Sequence, residues 1–139
     1  MIQFTSCQTK YLFIMPTTLV LGASTHPRRV SYRAVHQLQD YGEDLILVGI
    51  RSGEVAGLPI VTEAEELARL PDVETITLYI GARHQPQWYD FILERHPQRV
   101  IFNPGTENPE LESRLREAGI EPVRACTLVM LTLNQYAVA

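Results

Sequence analysis

The feature that most constrains this chain is a set of five short, almost wholly apolar runs, each separated from the next by a segment with helical periodicity. They are TTLVL (Thr17–Leu21), DLILVGI (Asp44–Ile50), ETITLYIG (Glu74–Gly81), RVIFN (Arg99–Asn103) and EPVRA (Glu121–Ala125). A strand with one face in water alternates apolar and polar residues, whereas a parallel strand covered on both faces is apolar nearly throughout. Strands that alternate with helices over connections this short require right-handed crossovers. The expected architecture is α/β: a doubly wound, about five-stranded parallel sheet with helices on both faces.

The intervening segments carry their own start and stop signals. Val30, Ala34, Leu38 and Tyr41 recur at helical spacing, and Gly42 stands where a left-handed cap would close that helix. A short second helix is expected within Thr62–Leu70. A third, about Pro86 to Arg95, presents Trp88, Phe91 and Ile92 on one face and is stopped by Pro97. The fourth is the best marked: Asn108 caps it, Pro109 takes the first helical position, and Glu110 and Glu112 complement its positive end. Leu111, Leu115 and Ala118 form its apolar face, and Gly119 closes it.

A length of 139 residues with 45% hydrophobic composition suits one domain, expected over residues 15–139. Met1–Ile14 reads as an extension outside the fold, with Met15 directly before the first strand as an alternative translation start. The formal charge of −4 argues against general affinity for nucleic acid or an anionic membrane. Cys7 and Cys126 form neither a C-x-x-C pair nor a metal-ligand cluster, so neither a disulfide framework nor a zinc site is expected, and a reducing cytoplasm fits best. The apolar runs are too short for a spanning helix, and the N-terminal stretch makes a poor signal peptide.

In an open α/β sheet, ligands bind outside the carboxyl ends of the strands. Gly22, Gly49, Gly81 and Gly105 all fall there, which marks a Rossmann-like, nucleotide-binding edge. The first turn, LGASTHPRRV, lacks the G-x-G-x-x-G spacing of a dinucleotide fingerprint. Gly22, Ala23 and Ser24 are nevertheless small enough for a phosphate to approach the main chain at a helix N-terminus, and Arg28 and Arg29 add positive charge. After the second strand, Arg51 stands where a NAD-binding domain carries an acid for the ribose hydroxyls. A guanidinium there suits a phosphorylated ribose, as in coenzyme A or NADP.

The arrangement GASTHPRRVSY resembles the Gly-Ala-Ser, Pro-x-Arg-x-Ser-Tyr turn of the small CoA-binding domain proteins, which are similar to the N-terminal domain of the succinyl-CoA synthetase α subunit. The likeness runs over roughly Thr17 to Tyr136 and includes GLPIVTEAEEL, NPGTENPELESRLREAGIEPV and Cys126 just after the last strand. It implies that Gly22, Ala23, Ser24, Thr25 and Arg29 hold the CoA phosphates. It also implies that Gly49, Ile50 and Arg51, Gly81 to Arg83, and Asn103, Pro104 and Gly105 line the rest of a groove for CoA or an acyl-CoA. Many relatives have Pro-Val-Asn-Pro where this chain has Leu47-Val48-Gly49-Ile50, and Gln-x-Gly where it has Asn103-Pro104-Gly105.

No catalytic constellation is legible. Ser24 and His26 are too close in sequence for nucleophile and base roles. His36 and His96 are expected on helix surfaces, His26 and His84 in loops facing the groove, and Cys126 buried. The expectation is a binding module without catalytic residues of its own. Three other readings stay open: an NADP-dependent oxidoreductase, one subunit of a split acyl-CoA ligase, and a protein-interaction domain. The last draws on the apolar tail CTLVMLTLNQY, in which Leu128, Met130 and Leu133 either cover the core or form a homodimer or other protein contact.

Overall fold

The computed structural model of the chain describes residues 17–138; the extension expected at Met1–Ile14 and the start at Met15 lie outside them. The elements run in the order β1 (Thr17–Leu21), α1 (Val30–Asp40), β2 (Asp44–Val48), β3 (Glu54–Val55), β4 (Leu58–Val61), α2 (Ala64–Ala68), β5 (Thr75–Leu78), α3 (Tyr89–Glu94), β6 (Arg99–Phe102), α4 (Pro109–Glu117), β7 (Glu121–Arg124) and α5 (Thr127–Thr132). Two 3-10 turns, Ala82–His84 and Pro86–Trp88, lead into α3.

The sheet has seven strands in the order β3-β4-β2-β1-β5-β6-β7, parallel except where β3 pairs antiparallel with β4. The two strands beyond the expected five form an edge hairpin. Its turn residues Ala56 and Gly57 both have positive φ, 53° and 81°, as a two-residue type I′ turn requires. They escape a pattern search because one is two residues long and the other contains Pro59, tolerated only at a sheet edge or strand start.

Alternation along each strand divides the core between the two faces. Leu19, Leu21, Val48, Ile76, Leu78, Val100 and Phe102 point to one side, where Ile92, Leu111 and Leu115 of α3 and α4 cover them. Val20, Leu47 and Ile101 point to the other, under Val35 and Leu38 of α1 and Leu131 of α5. The inward face of α1 is Ser31, Ala34, Val35 and Leu38. Val30 and Tyr41, expected inside, are 44% and 48% exposed because they stand at the two ends of the helix, beyond the sheet's cover. Ala118 is likewise exposed, one residue past the end of α4.

The tail packs on its own sheet, with Met130 of the expected residues against the core and Leu131 and Tyr136 as the fully inward side chains. Thr127, Leu131 and Tyr136 are buried, Leu128 and Met130 are half-buried, and Leu133 is exposed. The sheet surface beneath it is partly polar. The Thr18 hydroxyl bonds to the Tyr136 hydroxyl at 2.6 Å, and Thr77 pairs with Thr127 at 2.8 Å. Arg99 Nε donates to Thr75 Oγ1 at 2.9 Å, while its guanidinium donates to the Tyr136 carbonyl and lies over the Tyr136 ring. Each such group would cost about 1–3 kcal/mol if left unsatisfied, so these bonds fix where the tail sits.

Candidate functional site

The chain leaves β1 toward β2 on one side and returns from β4 to β5 on the other, so the topological switch point lies between the carboxyl ends of β1 and β5. The β1 turn is locked there by its neighbours. Gly22 and Ala23 both donate their N–H to the Val48 carbonyl at 2.9 Å. Gly22, at φ +102°, lies so close to β5 that a Cβ would meet the Tyr79 carbonyl oxygen at 2.9 Å. A Cβ on Gly49 would meet the Ala23 carbonyl oxygen at 2.6 Å, and one on Gly53 the Thr25 methyl at 2.5 Å. These glycines let three strand ends close on one another, and the loop carrying Arg51 is thereby held against the first turn.

What the turn offers outward follows from what it has spent. The N–H groups of Gly22 and Ala23 are taken, whereas those of Ser24 and Thr25 have no partner among the described residues. The Ser24 hydroxyl accepts from His26 N at 3.1 Å, and His26 Nδ1 accepts from Arg28 N at 3.1 Å. Arg29 occupies the N-cap position of α1 with no side-chain cap, and the first turn of α1 has no acid. In α4 the opposite holds: Asn108 accepts from the N–H groups of Glu110 and Leu111, and Glu110 and Glu112 stand in the first turn. The start of α1 therefore has both free donors and uncompensated positive charge.

The arginines divide the same way. Arg28, Arg29, Arg51 and Arg83, all exposed on loops of the carboxyl edge, have no ion-pair partner among the described residues, and neither do Arg33 on α1 and Arg69 after α2, while Arg95, Arg114, Arg116 and Arg124 each have a glutamate. An acidic chain thus presents a cluster of free cations at one edge. Ile50, 77% exposed, stands beside Arg51 as an apolar surface at the same edge.

The far side of the site is built by residues without outward chemistry. Asn103 is buried: its amide donates to Thr77 Oγ1 at 2.7 Å and to the Leu78 carbonyl at 3.0 Å, and its Oδ1 accepts from Thr127 N at 2.9 Å. It clamps β5, β6 and α5 together, leaving Pro104 and Gly105 as the exposed part of that loop. Gln85, which sequence reasoning missed, is fully buried and donates to the carbonyls of Ile80 and Thr106 at 2.7 and 2.8 Å. Asn108 in turn donates to Gln85 Oε1 at 2.8 Å, so the β5 and β6 loops are tied to each other. No local sequence signal marks a glutamine in a loop as buried.

Burial pushes the Tyr79 phenol up to about 12. Its hydroxyl has no hydrogen-bond partner among the described residues. His84 is exposed in its 3-10 turn at this edge, whereas His36 lies half-buried along α1 and His96 pairs with Asp72 at 3.2 Å. Cys126 is half-buried. Among the described residues no group of His, Cys, Asp and Glu could hold a metal, and no helix is long and apolar enough to cross a membrane.

Fold and site together define a Rossmann-like α/β domain whose carboxyl edge carries unpaired arginines and unbonded main-chain N–H groups among the described residues. The chain belongs to the CoA binding domain family, whose model matches residues 16–132. A solved structure of an uncharacterized protein is 47% identical, with a TM-score of 0.83 over 88% of this chain and 98% of its own. A Thermus thermophilus protein is 22% identical, with a TM-score of 0.75 over 94% of this chain and 98% of its own. A dinucleotide-forming acetyl-coenzyme A synthetase from Candidatus Korarchaeum cryptofilum, solved with phosphate and ADP, is 18% identical with a TM-score of 0.62. It is matched over 80% of this chain and 26% of its own, a likeness of fold. No curated protein matches.

Proposed function

We propose that this domain binds coenzyme A or an acyl-CoA across the carboxyl edge, with its phosphates at the start of α1, and that it has no catalytic residues of its own. The observation that carries this reading is that α1 begins without any anion of its own, beside Arg28 and Arg29, which have no carboxylate partner among the described residues, at an edge whose other loops carry the unpaired Arg51 and Arg83. A diphosphate supplies what that terminus lacks. The fit is also steric. With the Gly22 and Ala23 amides spent on holding the turn, the donors that face a phosphate are the main-chain N–H groups of Ser24, Thr25, Val30 and Ser31, with Arg29 beside them. Arg51, held near this turn through the packing of Gly53 on Thr25, reads the ribose 3′-phosphate. Gly81 to Arg83 and Pro104 to Gly105 border the rest of the groove, and Asn103 acts as the clamp beneath it.

The test is a pair of variants titrated with CoA and dephospho-CoA. Arg29→Ala should weaken both by about ten- to a hundredfold, the loss of a charge-assisted hydrogen bond worth about 1.5–3 kcal/mol. Arg51→Ala should weaken CoA more than dephospho-CoA. Equal losses for the two ligands would remove Arg51 from the 3′-phosphate, and unchanged binding in both variants would move the groove elsewhere.

A further inference from the structure

The outer face of α1 carries charges in an order that matches itself when reversed. Arg33 and Asp40 are seven residues apart, two turns and so on one face, with His36 and Gln37 midway between them. Both are exposed, and neither has an ion-pair partner among the described residues. Tyr32 and Tyr41 flank them, and the six residues line a shallow hollow of about 490 Å³. The Tyr32 and His36 rings meet at a tilt of 53° with centroids 4.8 Å apart, and His36 Nε2 is buried without a hydrogen-bond partner among the described residues. On one side the face continues onto α5, where Gln37 Nε2 reaches Thr132 Oγ1 at 3.5 Å and Val129 and Leu133 are 52% and 57% exposed.

We infer that this face is the interface of a homodimer in which the two α1 helices pack antiparallel about a two-fold axis that passes between His36 and Gln37. That operation sets Arg33 of one protomer against the partner's Asp40, and does so twice, because an isologous interface repeats every contact. It also covers the aromatic and aliphatic residues that the helix otherwise leaves in water. A second copy of this chain is the occupant the charge order selects. A partner without that reversed order would leave one of the two charges unmatched.

The full chain should sediment at twice its 15.8 kDa mass in analytical ultracentrifugation at micromolar concentration. Asp40→Arg and Arg33→Asp each place like charges opposite one another twice, and each should weaken dimerisation at least tenfold at low salt. The R33D/D40R double variant restores opposite charges and should recover the dimer, which also shows that both exposed positions tolerate the changes. A monomeric native chain would overturn the inference. So would a dimer indifferent to both single substitutions, or single variants that dissociate without rescue in the double.

Discussion

Replacing Asn103 with alanine tests whether the β6 loop is held from beneath. The side chain makes three buried hydrogen bonds, to Thr77 Oγ1, the Leu78 carbonyl and Thr127 N. Thr127 and Leu78 are fully buried, so the variant leaves one N–H and one C=O in the interior without partners. At about 1–3 kcal/mol for each orphaned group, the expected loss is about 2–6 kcal/mol. That is a large share of the 5–15 kcal/mol typical of a whole domain. Chemical denaturation followed by far-ultraviolet circular dichroism reads it as a lower midpoint with an unchanged slope. Asn103→Asp sharpens the test. The carboxylate still accepts from Thr127 N but opposes the Leu78 carbonyl, so its pKa should be raised in the folded state. Stability should then recover as the pH falls toward the carboxyl range, where the protonated acid again donates. A loss below about 1 kcal/mol for Asn103→Ala would refute the clamp and return the amide to the ligand's side of the loop.

Gly49→Ala should destabilise by about 1–3 kcal/mol, because its methyl group meets main chain at Ala23 and has no flexible neighbour to displace; a melting temperature unchanged from the native chain would contradict the close approach of β2 to the first turn. Ultraviolet titration of the six tyrosines should show Tyr79 ionising last, near 12, with Tyr136 also raised by burial. Their raised values mean that the stability they support is intact below about 10 and lost as pH rises toward 12. Tyr79→Phe should remove the late-titrating phenol and leave stability at neutral pH unchanged or improved, since its hydroxyl makes no hydrogen bond among the described residues.

Much of the fold was legible because burial on both faces writes itself into composition. The five core strands of the expected sheet are present, β1 with the bounds read from TTLVL, and α4 is recognisable from Asn108, Pro109 and Gly119 alone. What was not legible depended on contacts distant in sequence. The β3–β4 hairpin is too short to show a period. The tail's inward residues are set by a polar stripe of Thr18, Thr75, Thr77 and Arg99 that pairs with it across 50 to 118 positions for the threonine hydroxyl contacts. At the site, the glycines were found but their roles were not all foreseeable: Gly22 and Gly49 serve close packing, and the free donors fall further along, at Ser24 and Thr25. Asn103 and Gln85 had no local signal separating a clamp from a contact.

Calorimetric titration of the full chain with CoA, NADP and NAD in parallel tests the central claim most directly. CoA should bind with the greatest affinity, and that affinity should fall at high salt, as expected where unpaired arginines meet a diphosphate and a ribose phosphate. Binding of NADP with CoA inert would contradict the account and transfer the same groove to a nicotinamide nucleotide.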